Sequence, residues 1–250
     1  MNMANHSGGH NHPETFDEVI ARGFPHKELE SLAKAHAERK RDIAADPDRY
    51  DDFLSRLLKQ QQADPDSLDD RTLRGVQGGT VVAVTDTNSK AMAQALDQLL
   101  DRPEALQAAH EAACANDDKT LSAVIFEALR FNPQNPFLLR HCAQDYVVAK
   151  GTARARTIPA GSLVIVGTSS AMFDEEKFAD PETFRIDRPA GDYIHYGYGQ
   201  HICFGRYIGA ILIPGMAKSL LRRNNLRRAP QDGHIVYDGA FPDRFMVDFD

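Results

Sequence analysis

The stretch Tyr193–Gly209 reads YIHYGYGQHICFGRYIG and surrounds one cysteine, Cys203, with four glycines. Glycine lets the backbone approach a flat or bulky group closely, because it carries no side chain. A helical pattern begins at about Arg206, so the positive end of a helix dipole lies just behind the cysteine and favours a thiolate. The loop is therefore suited to present a cysteine thiolate to iron.

Two other kinds of site fit the same loop less well. Gly197 and Gly199 begin like a dinucleotide-binding fingerprint, but the third glycine is missing and no βαβ unit surrounds the loop. A zinc site built from His195, His201 and Cys203 lacks a fourth ligand at ordinary spacing. Both interpretations are set aside.

The patterns before and after the loop define the fold class. The first helical patterns end at about Lys59, and Ser67 or Asp69 caps a long, mostly apolar helix that stops before Pro103 and is expected to be buried. Two further helices end at Pro133, and then β-rich runs, an irregular segment, the cysteine loop, another helix and a last strand pair follow. The sequence predicts an α+β fold that is mainly helical, with a small β-sheet.

The cysteine loop resembles the haem-binding loop of the cytochrome P-450 family, whose pattern is F-x-x-G-x-H/R-x-C-x-G. The resemblance implies the C-terminal half of that fold, with Cys203 as the thiolate ligand of the iron of haem b. It also implies a set of cofactor-binding positions in the loop, in which a tyrosine replaces the family's phenylalanine: Tyr196, Gly197, Gly199, His201 and Gly205. Arg140, in FLLRHC, resembles the strand arginine that pairs with a haem propionate, which suits the bidentate geometry of a guanidinium.

A second element is the pair Glu127 and Arg130 in FEALRFNP, whose spacing places both side chains on one helix face. Alone, such a pair is most simply a surface salt bridge, which is common and weak. The resemblance instead implies a buried structural network with an arginine of the irregular segment FADPETFRIDRP. Arg188 is the arginine expected there, with Arg185 as the alternative.

A third element, VVAVTDTNSKAMA, resembles the oxygen-binding helix of the family. The resemblance makes Asp86 and Thr87 the catalytic acid–alcohol pair, which can relay protons from water to dioxygen. A polar pair in the middle of an apolar helix is expensive without a role, which favours this interpretation over a solvent-facing pair. Val84 stands where the family has a glycine, and its side chain reduces the room for dioxygen.

Composition limits the classes of partner. Hydrophobic residues make up 42% of the chain and charged residues 26%, as in soluble globular proteins, and the net charge of −7 argues against a nucleic-acid partner. No apolar leader opens the chain and the most apolar helical stretch is interrupted by Pro214, so no membrane partner is expected. Cys114 and Cys142 have no motif around them and are expected to be small buried residues of a cytoplasmic protein.

The domain organisation follows from the extent of the resemblance. Residues 1–30 are expected to form a flexible tail, in which His6, His10 and His12 are interpreted as tag-like rather than as a metal site. Residues 31–250 are expected to form the haem-thiolate domain without the N-terminal part of the family fold. The chain is then a fragment, one half of a split or fused protein, or a degenerate relative.

The resemblance implies an oxidoreductase that hydroxylates a small apolar organic substrate with dioxygen. Such a monooxygenase needs an electron donor such as a ferredoxin or a flavin reductase, and an upstream fused or split domain is a further possible partner. Two alternatives stay open: a donor-independent hydroperoxide isomerase or dehydratase of the same fold, and a non-catalytic haem-binding remnant. Turnover driven by a coenzyme, turnover driven by a peroxide, and haem binding without turnover distinguish the three.

Overall fold

The computed structural model describes residues 26–66, 68–231 and 233–250. Its helices are α1 (His26–Ala45), α2 (Phe53–Ala63), α3 (Asp70–Leu100), α4 (Pro103–Ala115), α5 (Asp118–Phe131), α6 (Thr168–Ala171) and α7 (Arg206–Leu221). Its strands are β1 (Leu138–His141), β2 (Tyr146–Val148), β3 (Arg156–Ile158), β4 (Leu163–Val166), β5 (Arg227–Arg228), β6 (Val236–Asp238), β7 (Phe241–Arg244) and β8 (Val247–Asp248). These elements confirm the mainly helical α+β class.

The predicted tail at residues 1–30 falls largely outside the described residues, as does one predicted helix cap, Ser67. Helix α1 begins at His26, and the tail boundary stays a prediction. The other predicted cap, Asp69, accepts a hydrogen bond at 2.7 Å from the backbone N–H of Thr72. A carboxylate at this position satisfies an N–H group that has no partner inside the helix, and α3 starts at the next residue.

The chain divides into two compact units, residues 1–85 and residues 86–250. The first has a small core in which Ile43, Leu58 and Leu73 are buried. The second has a larger core of alanine, leucine, valine and isoleucine side chains from the last part of α3 and from α4, α5 and α7. The alanine-rich stripe of α4 lets its neighbours α5 and α7 pack closely against it.

The burial of α3 differs from the prediction of one long buried helix. Its side chains are mostly buried only from Asn88 onward, whereas Val81 and Asp86 are exposed. The apolar residues of α3 are spread around its circumference instead of forming one stripe, so no single face can bury them all. Mean apolar content therefore predicted the helix correctly and its burial wrongly.

The β-rich runs form four separate two-stranded antiparallel ladders among the described residues, not one small sheet. The ladders are β1 with β4, β2 with β3, β5 with β8, and β6 with β7. A turn at residues 159–161 separates β3 from β4: the backbone N–H of Ser162 donates to the carbonyl of Pro159 at 3.2 Å, and Gly161 has a φ of +82°. The predicted last strand pair is two pairs, β5–β8 and β6–β7.

Candidate functional site

The carboxylate of Glu127 is the centre of a buried polar network on α5. Glu127 and Arg130 are both 0% exposed. Arg130 donates two hydrogen bonds to the carboxylate, from Nε to Oε2 at 3.0 Å and from Nη2 to Oε1 at 2.8 Å. Nε of Arg188 lies 3.4 Å from Oε1. The structure thus brings the three predicted network residues together, and the burial excludes an exposed surface pair.

Two more donors complete the network, and the sequence did not identify them. The hydroxyl of Tyr193 donates to Oε2 of Glu127 at 2.7 Å, and the backbone N–H of Arg185 donates to Oε1 at 3.0 Å. The guanidinium of Arg185 points elsewhere and binds Asp187 at 2.9 Å. Arg185, the alternative arginine, therefore contributes its backbone and not its charge. Burial and the adjacent carboxylate raise the pKa of Tyr193, so its phenol stays a proton donor.

The network is continuous with the start of the cysteine loop. His195 stacks on the ring of Tyr193 with 5.1 Å between centroids, and its Nε2 lies 2.9 Å from the backbone oxygen of Phe126 on α5. Because a carbonyl oxygen only accepts, Nε2 carries the proton of this hydrogen bond and offers no lone pair to a metal. Burial lowers the pKa of His195 to about 4, so the ring is neutral at pH 7. Nε2 of His195 thus links the start of the loop to α5.

Backbone geometry closes the loop around the cysteine. The N–H of Cys203 donates to the carbonyl of Tyr196 at 2.8 Å, which ties the two ends of the turn together. Gly197 has a φ of +77° and Gly199 a φ of +71°, in the left-handed region where other residues are strained. Gly205 has an ordinary φ, and a Cβ there would lie 3.8 Å from Sγ of Cys203. The first two glycines shape the turn, whereas a Cβ at the third would make an ordinary van der Waals contact with the sulfur.

Cys203 lies in an exposed part of the loop. Cys203 is exposed, and so are two neighbouring rings, Tyr198 at 88% and Phe204 at 87%. Helix α7 begins three residues later, and the N–H of Arg206 donates to the carbonyl of Cys203 at 3.3 Å. The first residue of α7 is thus hydrogen-bonded to the backbone of Cys203. An exposed cysteine, whose thiolate would be a soft donor, with exposed aromatic side chains near it in the sequence fits a large apolar cofactor that carries iron, as haem does.

The predicted acid–alcohol pair lies on α3 at the point where burial begins. Asp86 is exposed and Thr87 is half-buried, while the next residue, Asn88, is buried. Asp86 therefore does not carry the cost of a polar side chain buried in an apolar helix, since the residue is exposed. The catalytic roles of Asp86 and Thr87 stay a prediction.

Two predicted cofactor-binding side chains, Arg140 and His201, are exposed. Arg140 is exposed on β1, where its Nη1 donates to the carbonyl of Leu139 at 2.8 Å. His201 is exposed at the end of a short 3₁₀ turn, Gly199–His201. Both side chains are exposed, and their pairing with haem stays a prediction. Two other expectations are corrected: Cys114 is exposed and Cys142 is partly exposed, so neither is a buried core residue.

Gly209 makes a tight packing contact with the cysteine loop that the sequence did not indicate. A Cβ added to Gly209, on α7, would lie 2.9 Å from Oη of Tyr196 and 3.2 Å from Oδ1 of Asn88. The hydroxyl of Tyr196 is buried and has no hydrogen-bond partner among the described residues. Burial, with the charge of Cys203, raises the pKa of Tyr196 to about 12. Tyr196 stands where the family has a phenylalanine. Because Gly209 has no side chain, it leaves room for the additional hydroxyl of Tyr196.

We expect Gly209→Ala to lower the free energy of unfolding by about 1–3 kcal/mol, because the methyl group forces Tyr196 or Asn88 to move. Gly215→Ala is the matched control on the same helix, since nothing lies within 4 Å of its added Cβ. That change should be neutral or stabilise the helix by up to about 1 kcal/mol. Urea unfolding of both variants and of Gly209→Ala with Tyr196→Phe measures this. Equal effects of the two alanines, or no recovery in the double variant, would contradict the contact.

Comparison with known proteins agrees with this geometry. The model of the family "Cytochrome P-450" matches residues 21–235. A bifunctional dioxygenase–epoxy alcohol synthase of Pyricularia oryzae is 34% identical over 155 residues, which cover 59% of this chain and 13% of that protein. A vitamin D(3) 25-hydroxylase of Pseudonocardia autotrophica is 29% identical over 196 residues, which cover 78% of this chain and 44% of that protein.

The solved structures agree with the fold. The crystal structure of the Tepidiphilus thermophilus P-450 heme domain superposes with a TM-score of 0.73 at 22% identity, covering 93% of this chain and 52% of that one. The chain spans about half the length, or less, of these relatives. No helix in the described ranges is both long and apolar enough to cross a membrane. The family match over most of the chain, on a loop built to present Cys203, shows that this chain belongs to the cytochrome P-450 family, whose members bind haem iron through a cysteine thiolate.

Proposed function

We propose that residues 31–250 form the haem-thiolate domain of a cytoplasmic monooxygenase that hydroxylates a small apolar organic substrate. The observation that carries the proposal is the exposed Cys203, held on a turn with two positive-φ glycines and flanked in the sequence by exposed aromatic side chains. Haem, when bound, supplies the activation of dioxygen, and a thiolate ligand favours cleavage of the O–O bond. The residues of the chain bind and orient the haem, and they deliver protons.

The side chains divide these tasks by position. Sγ of Cys203 is the iron ligand, and the network around Glu127 holds the start of its loop against α5. Arg140 and His201 are proposed to bind the propionates, since both are exposed cationic or polar side chains near the loop or on β1. A ferredoxin or a flavin reductase is the proposed electron donor, with an upstream fused or split domain as a further partner.

The burial gradient on α3 supports a proton path through Asp86 and Thr87. The exposed carboxylate of Asp86 can exchange protons with water, and the half-buried hydroxyl of Thr87 is one residue further toward the buried part of the helix. A carboxylate that takes up a proton from water and a hydroxyl that passes it on form a short relay. Exposure of Asp86 thus favours the role that the resemblance implied.

A donor-independent hydroperoxide isomerase or dehydratase is the second candidate. One observation favours it: the relative with 34% identity is named a dioxygenase and epoxy alcohol synthase, not a hydroxylase. Val84 in place of the family's glycine is also expected to reduce the room for dioxygen, as the resemblance implies. An enzyme of this kind needs no electron donor and no proton delivery to dioxygen. Haem binding without either activity would instead indicate the non-catalytic remnant.

The Thr87→Ala variant tests the proposal directly. With a ferredoxin, its reductase, reduced coenzyme and a panel of small apolar hydrocarbons, product formed per coenzyme oxidised should fall at least about tenfold, since positioned proton transfer contributes about 10²–10⁴. Hydrogen peroxide should rise correspondingly, and haem content should stay unchanged. Thr87→Ser keeps the hydroxyl and is the control. Unchanged coupling in Thr87→Ala, or consumption of a fatty-acid hydroperoxide without any coenzyme oxidation, would favour the second candidate.

A further inference from the structure

A cavity of about 580 Å³ lies among the start of α4, the middle of α5 and the irregular segment at residues 178–189. This volume is in the range of sites that bind small organic molecules. Six apolar residues form most of its wall: Pro103, Ala105, Ala108, Val124, Phe184 and Ile186. None of its lining residues belongs to the cysteine loop, to the Glu127 network or to the proposed proton path. The roles proposed above therefore do not use this cavity.

A cation lines the cavity at the start of α4. It is Arg102, the residue directly before the helix. Its guanidinium lies over the ring of Phe131, 4.3 Å from Cζ to the centroid, and 5.9 Å from the centroid of Phe184. Nη1 donates to the backbone oxygen of Gln98 at 2.8 Å and to its side-chain oxygen at 3.0 Å. Nε and Nη2 donate to no group within the described ranges, and this edge of a guanidinium has the two parallel donors that bind a carboxylate.

An anion lines the same cavity. Glu104, in the first turn of α4, is exposed, and its carboxylate has no hydrogen bond or ion pair in the part of the chain that the structure describes. Side chains two residues apart do not face each other on a helix, which explains why Arg102 and Glu104 do not pair. Their Cα atoms are at most about 7 Å apart. The apolar cavity thus has a cation and an anion close together, each with capacity for a further hydrogen bond.

The two charges limit the chemical class of the ligand. A ligand with only a negative charge is attracted by Arg102 and repelled by Glu104, and a ligand with only a positive charge has the opposite difficulty. A neutral ligand displaces water from both charged groups without replacing the hydrogen bonds to that water. A zwitterion whose carboxylate and ammonium are on one carbon atom can bind both groups, and an apolar substituent on that carbon can cover the apolar wall.

We infer that this cavity binds an α-amino acid with a large apolar side chain. Nε and Nη2 of Arg102 bind its carboxylate, and the carboxylate of Glu104 accepts hydrogen bonds from its ammonium group. The apolar side chain lies against the wall that includes Val124 and Phe184. The inference does not rest on the proposed function, since the cavity shares no residue with the cysteine loop or the proton path.

A ligand in this cavity lies next to the buried polar network. Phe184 follows Thr183, whose carbonyl accepts from Nη2 of Arg130 at 3.3 Å, and it precedes Arg185, whose backbone N–H donates to Glu127 at 3.0 Å. A molecule that binds only the folded protein stabilises it by mass action. The amino acid is therefore an effector that stabilises the segment around Phe184, and not a second substrate.

Equilibrium dialysis with three ligands of similar shape tests the inference. They are L-phenylalanine, 3-phenylpropionate, which lacks the ammonium, and 2-phenylethylamine, which lacks the carboxylate. The haem-loaded protein is kept reduced and saturated with carbon monoxide, so that no amine ligates the iron. The wild-type protein should bind L-phenylalanine at least about tenfold more tightly than either analogue, since each analogue loses hydrogen bonds to one charged group.

Two variants assign each preference to one side chain. Glu104→Gln should remove the preference over 3-phenylpropionate and keep the preference over 2-phenylethylamine, and Arg102→Gln should do the reverse. Glu111→Gln is the matched control, because Glu111 is exposed on the same helix and does not line the cavity. Urea unfolding shows whether each variant is folded. Because Glu104 is exposed and has no partner among the described residues, Glu104→Gln decides the test if Arg102→Gln is destabilised.

Three outcomes would overturn the inference: no binding of L-phenylalanine, equal affinity for L-phenylalanine and either analogue, or unchanged preferences in Glu104→Gln. Equal affinity for 3-phenylpropionate would indicate a site for a simple anion at Arg102. Unchanged preferences in Glu104→Gln would place the amino acid elsewhere on the protein. The proposed function is tested by a different measurement, the coupling of coenzyme oxidation to product in Thr87→Ala, so either proposal can fail without the other.

Discussion

Cys203→Ser should abolish the red-shifted Soret band that thiolate-ligated haem gives in its reduced, carbon-monoxide-bound form. The band reports the sulfur bond to iron, and a serine hydroxyl, with a far higher pKa than a thiol, does not replace a thiolate at neutral pH. We expect the loss to be complete, with any remaining haem showing the spectrum of a neutral or absent axial ligand. Cys114→Ser, at the other exposed cysteine, is the matched control and should keep the full band.

The loop itself should survive this substitution. The turn is closed by the backbone bond from Cys203 to Tyr196 and shaped by the positive φ of Gly197 and Gly199, none of which involves the sulfur. Serine differs from cysteine by one atom and preserves these contacts. The urea midpoint of unfolding should therefore match the wild type within error. A serine variant that keeps the red-shifted band would show that another group ligates the iron.

The cysteine loop could be predicted from the sequence because its information is local. Glycines that need positive φ and a cysteine at fixed spacing require no knowledge of the rest of the fold. The spacing of Glu127 and Arg130 likewise placed them on one helix face, and the structure shows that they are paired. What spacing could not give is their burial, which depends on side chains packed over them from the irregular segment.

The contributions of Tyr193 and the Arg185 backbone could not be predicted for the same reason. They come from a segment without periodicity, so nothing in the sequence fixes which donor faces the carboxylate of Glu127. The burial of α3 was predicted wrongly for a different reason. The prediction used the apolar content of the whole helix, whereas the distribution of apolar residues around the helix axis decides which side chains are buried. The close packing of Gly209 could not be predicted, because it depends in part on Asn88, which is far along the chain.

Glu127→Ala is expected to destabilise the protein more than any other single change considered. It leaves the guanidiniums of Arg130 and Arg188 without a counter-charge, and the former is 0% exposed. Removing one partner from a buried ionic network costs about 3–5 kcal/mol, since an unpaired charge stays behind. With a typical domain stability of about 5–15 kcal/mol, the variant should be marginally folded, poorly soluble and largely free of haem.

Two controls separate the buried network from ion pairing in general. Glu176 forms an exposed pair with Arg154 at 2.7 Å, and Glu176→Ala should change the free energy of unfolding by less than about 1 kcal/mol. Glu127→Gln keeps an acceptor but loses the charge, so its effect should lie between those of Glu176→Ala and Glu127→Ala. Urea unfolding and haem-to-protein ratio measure all three. A soluble Glu127→Ala protein with full haem content would show that the Glu127–Arg130 ion pair contributes little to stability, as a surface salt bridge does.

Tyr193→Phe then tests whether the network also positions the cysteine. The change removes one hydroxyl that donates to Glu127 at 2.7 Å and should cost only about 1–3 kcal/mol, as expected for a hydrogen bond to a charged group. Tyr193 is also the residue on which His195 stacks, ten residues before Cys203. If the network holds the loop, haem affinity should fall by more than the loss of stability alone explains. Haem affinity that follows stability would mean that the Glu127 network supports the fold and that Cys203 is positioned by the backbone of its own turn.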